Sequence, residues 1–331
     1  MGLILLALSH FLVDLHSGML PVLLAQKRSL LGLSLAQVGL IAGVYNFSLS
    51  IGQPLFGRMA DRWGERLVAV WGLLWVALFG SGLGFAPGYL PLLGLVAIQA
   101  LGPAAFHPPG AAGAGRLGRG RAGSSMSFFL SGGSLGMATG PALAGWIFAA
   151  AGVQATAWVG LVATGLALAL AILLRLHWPA PVQAARGTGT QAAQRKVIRS
   201  RSSSFWLILG ALLLVTAVRT AVHMSLTTFL PQYLAGLGYS PTVSAQGLSL
   251  LLLAAMAGVM SGGPMADRFG PRRVVTLSLV LLGSALLGLP SASRGLAAAL
   301  LPLAGFAVGI PLSMTLVIGQ AHLQEEGGFA S

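Results

Sequence analysis

The sequence contains no cysteine and only six acidic residues among 331. The absence of cysteine excludes disulfides and thiolate metal sites. Charged residues make up 8% of the chain, whereas soluble domains carry about 25%. The sequence also lacks the metalloprotease pattern H-E-x-x-H and the phosphate-binding loop G-x-x-x-x-G-K-[ST]. We therefore expect neither an enzyme nor an ATP-driven pump, and neither a cofactor nor a metal site.

Apolar residues, by contrast, make up 56% of the chain, and they form runs of the ~20 residues that cross a bilayer. The frequent glycines and prolines indicate broken and closely packed helices. The pattern predicts an all-α, polytopic membrane protein with ten spans, at 3–25, 36–57, 67–86, 89–113, 123–150, 153–175, 205–235, 242–264, 273–290 and 295–320.

One long polar stretch, 177–204, divides these spans six to four. Its basic and small residues cannot bury a core, so it is expected to be a cytoplasmic basic linker. The predicted domains are therefore an N-terminal six-helix bundle at 1–176 and an incomplete four-helix C-terminal bundle at 205–331.

The positive charges sort by side of the membrane. Alternate connections hold 15 of the 19 Lys and Arg residues, whereas the other side holds Lys27, Arg28 and Arg294. Because positive residues favour the cytoplasm, both termini of this chain are expected to be cytoplasmic. The net charge of +13 thus follows membrane topology and does not indicate nucleic acid. The N-terminus has no basic region, so we expect a retained spanning helix rather than a signal peptide.

A charged pattern occurs twice, 206 positions apart. Residues 57–66 and 263–272 both read G-x-x-x-D-R-x-G-x-R. The simplest interpretation is a solvated turn, but duplication favours a conformational switch in which the aspartates pair with arginines. The first glycine of each copy is expected to permit close helix approach, and the second to permit a tight turn. The predicted gating residues are Gly57, Asp61, Arg62, Gly64, Arg66, Gly263, Asp267, Arg268, Gly270 and Arg272.

The repeat spacing also indicates how long a chain with two full repeats would be. Two units of 206 residues need 412 residues, which is 81 more than the chain has. We therefore expect the last two of twelve helices to be missing, which leaves an inactive truncated remnant or a membrane scaffold as one alternative.

Ionisable residues inside spans are costly and point to function. Asp14 lies in the first span with His10 one turn earlier, which suits a proton relay, although a fixed structural ion pair would explain it too. His107 precedes Pro108 and Pro109, which are expected to break the helix. It would either relay protons or bond to the carbonyls that the prolines free.

The second half carries a basic counterpart. Arg219 and His223 lie in the seventh span, and the repeat offset aligns residue 220 with Asp14. We expect Arg219 to bind an anionic group of the substrate, with a direct Asp14–Arg219 salt bridge as the rival arrangement. Further candidate substrate-binding residues are Asn46, Gln53 and Gln99, unless they merely bond between helices.

These residues resemble a known family. The duplicated turn is similar to the loop motif of the major facilitator superfamily, and residues 10–21, 53–57, 105–111 and 229–233 resemble its fosmidomycin-resistance type of bacterial efflux transporter. The motif Gly136, Gly140, Pro141 and Gly145 is similar to that of proton-coupled antiporters, although simple helix packing would explain it equally.

The resemblance implies proton-coupled efflux of a small drug-like or anionic compound by alternating access. The implied location is the bacterial inner membrane, and the implied partners are a small-molecule substrate, protons and the lipid bilayer. It also implies that the first and seventh helices line a central cavity. Proton-linked or facilitative uptake of a small metabolite stays open as an alternative, because sequence barely separates export from import.

Overall fold

The computed structural model describes the backbone of residues 1–118, 121–179 and 203–327. These residues form helices and no strand, which confirms the predicted all-α class. The α-helices are α1 (Gly2–Leu31), α2 (Leu35–Trp63), α3 (Glu65–Gly82), α4 (Tyr89–Gln99), α5 (Leu101–Leu117), α6 (Ala122–Ala151), α7 (Thr156–His177), α8 (Ser203–Gly236), α9 (Pro241–Phe269), α10 (Pro271–Gly288) and α11 (Arg294–Gly327). Short 3₁₀ helices lie at Leu83–Phe85, Val153–Ala155 and Leu289–Ser291.

Nine helical segments of the described chain are long and apolar enough to cross a bilayer. They match the first nine predicted spans, and α4 and α5 together form one of them, Tyr89–Leu117. The tenth predicted span falls on α11, whose stretch Gly295–Pro311 is apolar but shorter. The predicted linker falls almost wholly on residues 180–202, which lie outside the described residues.

The described residues group into two compact units. The first contains those of 1–179 together with 227–253, and the second contains 203–226 and 254–327. Helices α8 and α9 therefore contribute to both units.

Helix α1 is the most buried span of the first unit, and glycines explain how tightly α6 packs on it. A Cβ added to Gly136 or Gly140 would run into the backbone of α1, and one added to Gly18 would run into the backbone of α6 at Met137. Small residues at four-residue spacing thus let the two backbones approach closely. Gly145 lies instead against Ala245 and Thr242 of α9.

The span formed by α4 and α5 breaks where the sequence did not predict it. Helix α5 runs without interruption through Pro108 and Pro109, and the break lies at Ala100, between α4 and α5. The expectation that the prolines break the helix is therefore wrong. Neighbouring helices in a membrane protein can hold a proline-containing helix in place. The actual break is followed by another helix-weakening pair, Gly102 and Pro103.

Lys27 is one of the few cations on the sparsely charged side, and its hydrogen bonds explain why it is there. Its side chain is buried, and its Nζ donates hydrogen bonds of 2.7 Å and 2.9 Å to the backbone oxygens of Gly84 and Ala86. It therefore ties the end of α1 to the 3₁₀ turn between α3 and α4, where helix-end carbonyls need donors. The chain then turns at Gly32 (φ 65°), and α2 begins with a reciprocal Ser34–Gln37 capping box.

The two copies of the charged turn have the same backbone geometry. Gly64 (φ 96°) separates α2 from α3, and Gly270 (φ 85°) separates α9 from α10. Each amide donates to the carbonyl four residues earlier, at 2.9 Å and 2.8 Å. Positive φ explains why both positions are glycine. By contrast, a Cβ at Gly57 or Gly263 would meet no described atom within 4 Å, so the expected close helix approach is wrong there.

Candidate functional site

Asp14 is the centre of the candidate site. It lies on α1 one turn after His10, and its Oδ2 is 3.2 Å from His10 Nε2. His10 and Asp14 are both largely buried, with side-chain exposures of 7% and 13%. A carboxylate in such surroundings needs a partner that balances its charge.

A second histidine reaches the same carboxylate from another helix. His107 Nε2 on α5 lies 3.2 Å from Asp14 Oδ1, so each oxygen of Asp14 contacts one imidazole. The sequence pointed to the His10–Asp14 pair and, separately, to His107 as proton-coupling residues, and the fold brings all three together. We call these three residues the His–Asp–His cluster.

The backbone of α6 fixes the proton on His10. Its Nδ1 lies 2.9 Å from the backbone oxygen of Phe129, and its ring stacks on that of Phe129 at a centroid distance of 4.2 Å. A carbonyl oxygen only accepts, so Nδ1 must carry a hydrogen, and in the neutral ring Nε2 is then an acceptor.

This arrangement leaves two acceptors facing each other. The lone pair of neutral His10 Nε2 and the carboxylate of Asp14 cannot bond across 3.2 Å without a proton between them. The contact therefore requires one extra proton, carried either by His10 or by Asp14. The His–Asp–His cluster is thus chemically suited to bind and release a proton.

Sequence reasoning missed the residues that shape this cluster. Gly133 of α6 lies so close that an added Cβ would meet both His10 Nε2 and Asp14 Oδ2. Ser17, three residues after Asp14, shares a 2.7 Å hydrogen bond with the hydroxyl of Tyr45 on α2. The Phe129 carbonyl and the missing side chain of Gly133 leave no signal in a sequence pattern. Tyr45 does leave one, because it is a polar residue on an apolar helix.

The same three side chains are the one group of potential metal ligands that the described part of the chain brings within 4.8 Å. The expectation of no metal site rested on spacing along the sequence, which cannot detect a residue arriving from another helix. The three side chains already satisfy one another by hydrogen bonds once the extra proton is present, so their geometry is explained without an ion.

The predicted polar substrate contacts lie in different surroundings. Asn46 Nδ2 donates to the backbone oxygen of Ala42 on its own helix at 2.8 Å. Gln53 on α2 is half-buried, whereas Gln99, the last residue of α4, is only 1% exposed. Gln99 lines a small cavity of the first unit.

Arg219 and His223 lie one turn apart on α8, in the second unit. Arg219 is buried, and its Nη2 donates to Thr220 Oγ1 at 3.2 Å. Its Nε is buried and has no hydrogen-bond partner among the described residues. A guanidinium with an unused donor is suited to an anionic group, since its planar fork can donate two hydrogen bonds.

The ion pair of the first charged turn is not the one expected. Glu65, rather than Asp61, makes a two-pronged contact with Arg116 at the end of α5, and Nη1 of Arg116 lies 2.9 Å from Oε1. Arg66 Nη1 also donates to the backbone oxygen of Arg175 on α7 at 3.3 Å. The turn after α2 thus ties the start of α3 to the ends of α5 and α7.

The second charged turn makes different contacts. Asp267 and Arg268 are exposed at the end of α9, and the Arg268 guanidinium lies 5.4 Å from the ring centroid of Phe269. Pro271 occupies the position of Glu65, at the start of α10. It therefore cannot form the ion pair of the first copy.

Comparison with known proteins gives matches along nearly the whole chain. The model of the Major Facilitator Superfamily matches residues 3–331. The MFS-type transporter YfnC of Bacillus subtilis (strain 168) is 28% identical, covering 96% of this chain and 78% of that protein. The fosmidomycin resistance protein of Escherichia coli (strain K12) is 27% identical, covering 98% of this chain and 80% of that protein.

A solved structure gives the same picture of the fold. The crystal structure of a bacterial homolog of the human lysosomal transporter Spinster matches with a TM-score of 0.74 and 17% sequence identity. The match covers 98% of this chain and 77% of that chain.

Proposed function

The chain belongs to the major facilitator superfamily and is a multi-pass membrane transport protein, and on this premise we propose that it exports a small anionic or amphiphilic compound in exchange for protons. The proposed compounds are fosmidomycin-like, because the relative named for fosmidomycin resistance matches 98% of the chain. Export proceeds by alternating access, with the solute bound near the middle of the membrane. The proposed location is the bacterial inner membrane, with both termini of this chain cytoplasmic.

One observation carries the proton coupling. His10 donates through Nδ1 to the Phe129 carbonyl, so its contact with Asp14 holds a proton that can leave. The bound proton makes the His10–Asp14 pair neutral overall, and its loss leaves a buried negative charge. Such a charge is costly inside a membrane, so proton release is favoured when water or a positive group reaches the cluster. Proton loss is thereby linked to a change of conformation or of bound solute.

Arg219 supports the anionic character of the solute. It is the buried guanidinium of the second unit whose Nε has no partner in the described residues. Binding a phosphonate or carboxylate would fill that donor and neutralise the charge. His223, one turn later on α8, extends this proposed substrate site. Asn46 and Gln53 on α2 are proposed solute contacts of the first unit.

The charged turns are proposed to control the conformational change. Glu65 and Arg66 bind Arg116 and the Arg175 carbonyl, so they hold the ends of α3, α5 and α7 together. Breaking these contacts would let the helix ends separate, as alternating access requires.

The coupling is tested in two assays on Asp14→Asn. Inside-out membrane vesicles measure uptake of labelled fosmidomycin driven by a pH gradient, and exchange of labelled for unlabelled solute measures transport without net proton movement. We expect Asp14→Asn to lose the gradient-driven uptake, by roughly a hundredfold for a lost proton-transfer group, and to retain exchange. His177→Gln, which alters an exposed histidine at the end of α7, serves as the control.

Two results would contradict the proposal. Gradient-driven uptake that survives in Asp14→Asn removes the carboxylate from coupling. Accumulation of the compound by intact cells, instead of by inside-out vesicles, replaces export by uptake.

The orientation is tested by labelling, for which a chain without cysteine is convenient. We expect Arg121→Cys to react with an impermeant maleimide only from the cytoplasmic side, and Ser29→Cys only from the opposite side. Both positions are exposed. Labelling of the two from the same side would contradict the predicted topology.

A further inference from the structure

Two buried polar side chains of the first unit have atoms that no described residue satisfies. They are Nε2 of His16 on α1 and Oε1 of Gln99 at the end of α4. The two residues are 7% and 1% exposed, so bulk water does not reach them. An unsatisfied polar atom in such a place costs about 1–3 kcal/mol, and native structures rarely leave one unexplained.

Both atoms are hydrogen-bond acceptors. His16 Nδ1 lies 2.9 Å from the backbone oxygen of Leu12, which can only accept, so Nδ1 carries the hydrogen and Nε2 offers a lone pair. Oε1 of Gln99 is an amide oxygen and also accepts. Two acceptors cannot satisfy each other directly, and a group with two donors is needed between them.

The two side chains line the same small cavity. They line a cavity of about 20 Å³ between α1, α3, α4, α6 and α7, together with Gly80, Thr156 and apolar side chains. A Cβ added to Gly80 would lie 3.8 Å from His16 Nε2, which places that nitrogen on the side of this cavity. His16 also borders a larger groove of about 550 Å³ between α1, α6 and α7, but Gly80 does not line that groove.

From these observations we infer that one structural water molecule occupies the cavity and donates its two hydrogens to His16 Nε2 and Gln99 Oε1. A space of about 10–15 Å³ by this measure is enough for a water, and two polar partners are the minimum that holds it. The cavity meets both conditions.

The remaining polar group at the cavity does not compete for the role. The hydroxyl of Thr156 donates to the Ser81 carbonyl at 2.9 Å and accepts from the Gly84 amide at 3.1 Å. A hard cation is also a poor occupant, because such ions require six or more oxygen ligands. Water is therefore the ligand that fits the donors and acceptors present.

The sequence left two roles open for Gln99, a contact to the solute and a bond between helices, and the inference favours the second. Gln99 becomes a structural residue that ties the end of α4 to α1 through the water, next to the break at Ala100, rather than a contact to the transported solute. The inference does not depend on the proposed function, since it concerns neither the proton nor the substrate.

The direct test is a density map of the full-length protein at a resolution that shows ordered water. We expect a peak within hydrogen-bond distance of both His16 Nε2 and Gln99 Oε1. An empty cavity, or a rotated Gln99 that donates directly to His16, would overturn the inference.

A double-mutant cycle tests it in solution. His16→Phe and Gln99→Met replace each partner by an apolar side chain of similar size, and thermal unfolding in detergent gives the midpoint. We expect each single variant to lose about 2–4 °C, because the water then keeps only one partner. The double variant should lose clearly less than the sum, because nothing polar is left unpaired.

Two outcomes of this cycle count against the water. Strictly additive losses would show that the two side chains share no partner. A changed substrate profile in Gln99→Met with an unchanged unfolding midpoint would return Gln99 to the solute path.

Discussion

The turn at Gly64 and the turn at Gly270 share a backbone but differ in their contacts. Both glycines have positive φ and both amides cap the preceding helix. In the first turn the residue after the glycine is Glu65, which binds Arg116. In the second turn that residue is Pro271, which has no charge to pair. A duplicated sequence pattern therefore specifies the chain path reliably, while a single substitution within it decides whether the turn is tied to neighbouring helices.

The same contrast holds inside the spans. The repeat offset of 206 residues aligns Asp14 of α1 with Thr220 of α8, next to Arg219. The first copy carries an acid held by two histidines, and the second carries a buried guanidinium with an unused donor. The copies thus retain the helix pattern and differ in the charge that they bury at the aligned position.

The largest of the following effects is expected at Arg219, whose proposed role is to bind the anion, in contrast to the proton coupling proposed for Asp14. Arg219→Gln should raise KM for an anionic solute about 10–100-fold, which is the value of one charge-assisted hydrogen bond, without changing the pH dependence of transport. Arg219→Lys should recover only part of the loss, because it keeps the charge and loses the planar fork. Transport kinetics in vesicles provide the measurement, and an unchanged KM would show that the second copy does not bind the anion.

A somewhat smaller effect is expected from the glycine beside the acid. The methyl group of Gly133→Ala would enter the His10–Asp14 contact, so we expect gradient-driven transport to fall about tenfold or more, or about 1.4 kcal/mol. Gly132→Ala is the matched control, because the atoms nearest to its Cβ belong to the backbone of α1 at Ala7 rather than to His10 or Asp14.

The control separates packing from chemistry. Both alanine variants should unfold at a lower temperature, but only Gly133→Ala should change the pH profile of transport. Equal pH profiles in the two variants would mean that α6 supports the acid of the first copy only by packing.

The shared backbone of the turns predicts equal costs in the two copies. Gly64→Ala and Gly270→Ala should each lower the free energy of unfolding by about 1–3 kcal/mol, because a side chain disfavours both conformations and nothing else lies within 4 Å. Gly57→Ala and Gly263→Ala are controls at matched repeat positions, and they should be neutral or stabilising. Denaturant unfolding of purified protein measures all four, and clearly unequal costs would refute the shared geometry.

The smallest effect is expected from removing the Glu65–Arg116 ion pair, which only the first copy can make. Glu65→Gln and Arg116→Gln should each cost about 0.5–1 kcal/mol, since the pair is only partly buried. The double variant should cost little more than either single variant, because both remove the same interaction. Additive costs would show that the two side chains act independently.

The sequence predicted the parts of the molecule that follow from local patterns. The apolar runs predicted the helices, and the helical spacing of His10 and Asp14 predicted their contact. The duplicated pattern predicted a tight turn at Gly64 and Gly270, and both have positive φ. Each of these depends only on residues near one another along the chain.

The remaining features depend on how distant residues meet. The approach of His107 to Asp14 spans 93 residues, and the Phe129 carbonyl that fixes the proton of His10 is a backbone atom of another helix. The break at Ala100 was misplaced to Pro108 because proline weakens an isolated helix, whereas packing holds this one in place.

The buried ammonium group of Lys27 changes how the charge distribution of the chain should be weighed. Its hydrogen bonds to two backbone carbonyls give a structural reason for a cation at that position that does not involve the membrane surface. A topology tally that omits Lys27 leaves Arg28 and Arg294 as the cations of the sparsely charged side. Buried lysines that saturate loop carbonyls are thus counter-examples that charge-bias rules for membrane orientation should discount.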